Sequence, residues 1–152
     1  MQKITPCLWF DTQAEEAANF YVSVFKDGKI GTTLRYDEAS SKVSGMPAGS
    51  VLTVELQING MDFLAMNGGP AFKFNEAVSF IINCEDQDEI DYYWEKLSAV
   101  PESEQCGWLK DKFGVSWQVT PKNMTELVNT PAGMQAMLSM KKLDIQALKD
   151  AK

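Results

Sequence analysis

Apolar residues along this chain follow two periods, and the switches between them divide the sequence into elements. Residues 4–10 are short, apolar and stop at Asp11, which predicts a buried strand. Beyond it Ala17, Phe20, Tyr21 and Val24 recur at i, i+3, i+4 and i+7, the stripe of an amphipathic helix. Thr12-Gln13-Ala14-Glu15 ahead of that stripe has the form of a capping box, and Asp27-Gly28 ends the helix. Residues 29–37 predict a second strand, and 40–49, rich in Ser, Gly and Pro, a loop and candidate lid. In 51–58 the pattern alternates: Leu52, Val54, Leu56 and Ile58 share one face, Thr53, Glu55 and Gln57 the other. Asn59-Gly60 predicts a hairpin returning through 61–66.

The same order then recurs. Residues 77–83 predict a buried strand, and Asp86-Gln87-Asp88-Glu89 opens a helix with acids at the positive end of its dipole. Ile90, Tyr93, Trp94 and Leu97 repeat the apolar stripe 73 residues after the first, whereas the caps repeat at 74. Residues 108–112 and 115–120 predict a closing hairpin across Phe113-Gly114, and a strand between 98 and 105 is weakly signalled. The fold class expected is therefore α+β, with two βαβββ modules at 3–67 and 76–121 in one domain spanning 1–152. A helical tail at 123–152 completes it, with short helices at 125–128, 132–140 and 143–151 separated by Pro131 and by Lys141-Lys142. Its Met and Leu residues read as packing surface.

Composition narrows the chemistry. A length of 152 residues suits one domain that needs no disulfide or metal staple. A net charge of −7 with a single arginine, Arg35, argues against nucleic acid, whose phosphates call for clustered cations. No window approaches the roughly 20 apolar residues of a membrane helix, and residues 1–10 lack the marks of a signal peptide. Cys7, Cys84 and Cys106 are odd in number and widely spaced, as expected of reduced thiols in the cytoplasm.

Histidine is absent, which excludes Ser-His-Asp and Cys-His mechanisms and any histidine-bound metal. No P-loop and no G-x-G-x-x-G between a strand and a helix is found. The acids of 85–91 read as a solvated helix cap rather than a metal site. Glu55 stands apart because its strand is half apolar; buried, it is a candidate base.

The duplicated order, with the stretches 4–21, 67–85, 91–97 and 106–121 (CGWLKDKFGVSWQVTP), resembles the glyoxalase, bleomycin-resistance and extradiol-dioxygenase superfamily, the vicinal oxygen chelate proteins, and within it the PhnB-like branch. The resemblance implies a glyoxalase-like curved sheet around a pocket, and a homodimer. It also implies four inward slots where metal-dependent members carry ligands, falling here on Pro6, Phe63, Ser79 and Gln118. Only Gln118 is a ligating type, so neither a metal nor another cofactor is expected. Alternation from those slots sends Leu8, Phe10, Ala65, Asn67, Ile81, Asn83, Ser116 and Thr120 to the same cavity, with Trp108 and Lys110 at its mouth. The demethylubiquinone methyltransferase label of some relatives finds no nucleotide-type glycine loop here. Three readings are expected in competition: a metal-independent small-molecule binding protein, an enzyme in which Glu55 is the base and Gln118 with Ser79 orients an oxyanion or carbonyl, or a structural dimer with a vestigial pocket.

Overall fold

An alternating strand becomes useful when something covers its apolar face, and in each half of this chain one helix does so. The computed structural model describes residues 2–151. It contains two compact units, Met1–Lys73 and Phe74–Lys152.

The first unit contains β1 (Cys7–Phe10), α1 (Ala14–Val24), β2 (Lys29–Arg35), α2 (Glu38–Ser44), β3 (Val51–Ile58) and β4 (Met61–Asn67). The strands lie in the order β1-β4-β3-β2, with β1 parallel to β4 and the other pairs antiparallel. Register places Leu8 beside Ala65, Val54 beside Ala65 and Leu56 beside Phe63, so these side chains share one face. That face is buried together with Ala14, Ala17, Ala18, Tyr21 and Val24 of α1, which packs on β3 and β4. The three alanines let the helix approach closely, and each large apolar side chain buried here contributes about 1.5–3 kcal/mol.

The expected capping box at 12–15 does not form. Gln13 is the N-cap and makes no side-chain cap bond. The first amide of the helix, Ala14 N–H, donates instead to Asn67 Oδ1 at 2.8 Å. A buried acceptor from β4 thus replaces the local one. The expected loop at 40–49 is in part the helix α2, closed by an Asp37–Ser40 capping box and by Gly45 at φ 79°. None of its residues is buried. Tyr36 forms its neck, donating N–H to Ser50 O at 2.9 Å and accepting from Gly49 N–H at 2.7 Å.

The second unit contains β5 (Ser79–Cys84), α3 (Gln87–Leu97), a 3-10 turn at Pro101–Ser103, β6 (Trp108–Lys110) and β7 (Ser116–Pro121). The tail helices α4 (Met124–Leu127), α5 (Pro131–Leu138) and α6 (Ile145–Asp150) follow. The sheet order is β5-β7-β6, with β5 parallel to β7. Cys84, Leu109, Trp117 and Val119 are buried with Ile90, Tyr93 and Leu97 of α3. Trp94, expected in that stripe, is only half-buried. Asp86 caps α3, its Oδ1 accepting from Glu89 N–H at 2.9 Å.

No strand forms across 98–105. Proline lacks the N–H that a ladder needs, and the 3-10 turn at Pro101 supplies a substitute edge. Lys110 N–H donates to Ser103 Oγ at 3.0 Å, and Lys110 O accepts from Ala99 N–H at 3.0 Å. Pro131, expected to separate two tail helices, stands between α4 and the body of α5 as the first residue of α5, behind its Thr130 cap. The tail is tied to its own unit: Gln87 donates to Leu143 O at 3.0 Å and accepts from Ile145 N–H at 2.9 Å, and Cys106 N–H donates to Met140 O at 2.7 Å. Among the described residues no helix is long and apolar enough to cross a membrane.

Helices α1 and α3 begin 73 positions apart, at Ala14 and Gln87. The strands before them are related by 74, since buried Phe10 answers to buried Cys84 and exposed Cys7 to exposed Ile81. Asp11, Thr12 and Gln13 join β1 to α1, whereas only Glu85 and Asp86 join β5 to α3.

Candidate functional site

The face of the second sheet turned away from α3 carries three cross-strand rows. Register aligns Lys110, Ser116 and Ser79 in the first, Trp108, Gln118 and Ile81 in the second, and Thr120 with Asn83 in the third. The structure thus brings together every second-module residue expected at the site: Ser79, Ile81, Asn83, Trp108, Lys110, Ser116, Gln118 and Thr120. Gln118 Nε2 donates to Ser79 Oγ at 2.9 Å across the rows. Lys110 Nζ pairs with Glu76, and that ammonium holds the Glu76 carboxyl below the usual carboxylate range. Ser116 is buried, and its hydroxyl has no hydrogen-bond partner among the described residues. Ile81 is 56% exposed on the same face.

Asp111, which sequence reasoning passed over, sets this geometry. Its fully buried carboxylate accepts from Phe113 N–H (2.9 Å) and Val115 N–H (3.1 Å) through Oδ1, and from Trp117 Nε1–H (2.9 Å) through Oδ2. These bonds hold the turn between β6 and β7 and so the row that pairs Lys110 with Ser116. The signal was present in Asp111-Lys112-Phe113-Gly114, an Asp that bonds amides ahead of it and a glycine at positive φ. Alternation alone gives such an acid no special weight.

In the first unit the expected residues separate. Leu8, Phe10, Phe63, Ala65 and Asn67 lie on the face covered by α1, not on the open one. The physical reason is the period of two: one residue of misregister turns every side chain of a strand over. Leu8, Phe10 and Phe63 are core. Asn67 is fully engaged, capping α1, donating Nδ2–H to Val51 O at 3.1 Å and accepting from Tyr36 OH on its backbone oxygen at 2.5 Å.

The open face of this sheet carries Cys7, Trp9, Thr53, Glu55, Gln57, Asp62, Leu64 and Met66 instead. Trp9 was not singled out by sequence. Its ring lies over Gly68, where a Cβ would come within 2.2 Å of it, its Nε1–H donates to Gly69 O at 3.0 Å, and Phe72 meets it edge-on at 5.0 Å. Glu55 is exposed, and Oε2 accepts from Thr32 N–H at 3.3 Å. Gln57 Nε2 donates to Asp62 Oδ1 at 3.0 Å.

A metal of the kind the superfamily resemblance implies does not fit these residues. Pro6 and Phe63 have no side-chain donor, and Ser79 and Gln118 are bonded to each other. Shifted by one to the observed register, the first-unit counterparts of Ser79 and Gln118 are Thr5 and Leu64. Two hydroxyls and one amide, without imidazole, thiolate or carboxylate, make a poor cage for a divalent transition metal. No group of three or more His, Cys, Asp or Glu side chains among the described residues is arranged to hold an ion.

Two βαβββ-like modules followed by C-terminal helices define a glyoxalase-like protein of the α+β class. The sequence profile of the family described as 3-demethylubiquinone-9 3-methyltransferase matches residues 2–120. The chain belongs to this PhnB-like family. The solved structure of the PhnB protein from Bacillus cereus is 37% identical, with a TM-score of 0.65 over 79% of this chain and 99% of that one. A Pseudomonas aeruginosa protein (19% identity, TM-score 0.56, 80% and 98% covered) and an Arabidopsis thaliana gene product (19%, 0.51, 78% and 98%) share the fold. No curated protein matches the chain.

Proposed function

We propose that this chain is a small-molecule binding protein whose ligand sits on the open face of the second sheet, held without a metal by Ser79, Gln118, Lys110, Ser116 and Trp108, with Asn83 at the far row. The observation that carries this is the buried, unpartnered hydroxyl of Ser116 beside a lysine and an amide. A polar atom kept from water without a bond costs about 1–3 kcal/mol, and a bound molecule that supplies the partner removes that cost. Half-buried Trp108 and exposed Ile81 in the neighbouring row add the apolar area that small-molecule sites use.

The enzyme alternative draws less support. Glu55 is exposed and bonded to Thr32, whereas a base tuned for catalysis calls for burial. Methyl transfer, the activity in the family's description, is not favoured either: the turns into α1 and α3, Asp11-Thr12-Gln13 and Glu85-Asp86, contain no glycine for a nucleotide-type donor. We place the protein in the cytoplasm, as a homodimer with its two modules in one domain, on the superfamily resemblance and on three cysteines without a disulfide.

Native mass spectrometry of freshly purified protein tests the proposal. A retained molecule that is lost in Gln118→Ala, with the circular-dichroism spectrum unchanged, is the expected result. Retention undiminished in Gln118→Ala removes this face from the site.

A further inference from the structure

The two sheet faces turned away from the helices can be matched position by position through their strand registers, and among the differences one pair bears on binding. Register makes Gln57 and Asp62 of the first unit the counterparts of Lys110 and Ser116 of the second. In the first unit the pair is complete, because Asp62 Oδ1 accepts from Gln57 at 3.0 Å. Asp62 is fixed further by Gln2, whose Oε1 accepts Asp62 N–H at 3.1 Å. In the second unit a cation stands where the amide was, and a small hydroxyl stands where the carboxylate was. That hydroxyl is buried. Lys110 draws its carboxylate from outside the row, from Glu76, and the Ser116 hydroxyl that replaces Asp62 is left without a partner among the described residues.

Resting on the binding function proposed above, we infer that the ligand is a carboxylic acid with an apolar body. Its carboxylate bridges Lys110 Nζ and Ser116 Oγ, and its body lies along Trp108 and Ile81. Charge-assisted bonds from an ammonium and a hydroxyl are the strong kind for an anionic oxygen. Lys110 already holds a carboxylate, that of Glu76, whose side chain is 62% exposed while that of Lys110 is 25% exposed. Glu76 precedes β5 in the segment leading into the site. It is an internal stand-in, weakly retained because its own side is open to water, and the ligand displaces it.

Backbone amide shifts in an NMR titration test this, with sodium hexanoate as probe and hexanamide as its neutral twin, on wild type, Glu76→Gln, Lys110→Met and Ser116→Ala. Hexanoate should shift the amides of Lys110, Ser116 and Ser79 saturably and bind about tenfold tighter than hexanamide. Glu76→Gln should tighten hexanoate alone, by removing its competitor. Lys110→Met should weaken it by about tenfold, and Ser116→Ala by a smaller factor.

Equal affinity for the two probes, or hexanoate binding indifferent to Lys110→Met, overturns the carboxylate assignment while leaving a binding site in place. Failure of Glu76→Gln to bind hexanoate at millimolar concentration also overturns it. Should neither probe shift this face and native mass spectrometry find no retained molecule, the binding function itself falls.

Discussion

The two units share an order of strands and a covering helix, yet they finish their open faces differently. In the first, Gln57 is closed by Asp62, Trp9 by Gly69 and Glu55 by Thr32. In the second, Ser116 lacks a partner among the described residues and Ile81 stands exposed beside it. A duplicated frame therefore does not imply duplicated chemistry. The first copy pairs its polar groups internally; the second pairs Gln118 with Ser79 and Lys110 with Glu76 but leaves the buried Ser116 hydroxyl without a partner among the described residues.

The sharpest way to break the comparison is a pair of substitutions at positions the sequence places alike. Phe63→Ala should destabilise by about 3–5 kcal/mol, because the ring is buried in the core, and Ile81→Ala by under about 0.5 kcal/mol. Equal losses in urea denaturation would overturn the assignment of faces. Asn67→Ala should cost about 1–2 kcal/mol, since it orphans the first amide of α1. Asn83→Ala, on an exposed position, should leave the urea midpoint unchanged.

Trp94→Ala sharpens the contrast between the helices. A fully packed ring would cost about 3–5 kcal/mol, but half-buried Trp94 should cost roughly a third of that, and a full-sized loss would show that α3 buries it. The smallest effect is on reactivity. Burial, with Glu89 and Asp86 nearby, pushes the Cys84 thiol up to about 12, and Cys7 is exposed. Iodoacetamide at pH 8 should modify Cys7 in the folded protein and Cys84 only after unfolding; peptide mapping that finds Cys84 modified first would contradict its place in the core.

Periodicity made the strands and helices legible, because apolar spacing follows directly from which face is covered. It located both hairpins and both long helices, while the second-unit face carrying Ser79 and Gln118 came from the superfamily resemblance. The slots that the resemblance implies in the first unit, Pro6 and Phe63, lie one residue out of the observed register, so Leu8, Phe10, Phe63 and Asn67 fall on the face covered by α1. What remained hidden was long-range: Asn67 replacing a local cap, Ser103 replacing a strand edge, and Asp111 organising a turn from within the core. Those depend on which atoms meet across the fold, and no local pattern encodes them.

The extra residue between β1 and α1 has a practical consequence for anyone grafting one half of this molecule onto the other. A chimera spliced at a uniform offset would keep its helices in phase while inverting an entire strand, sending Asn83-type polar groups inward and Leu8-type oily ones out. Splicing must therefore change step inside the turn, at Asp11 to Gln13, where a single added position shifts the phase without disturbing either neighbour.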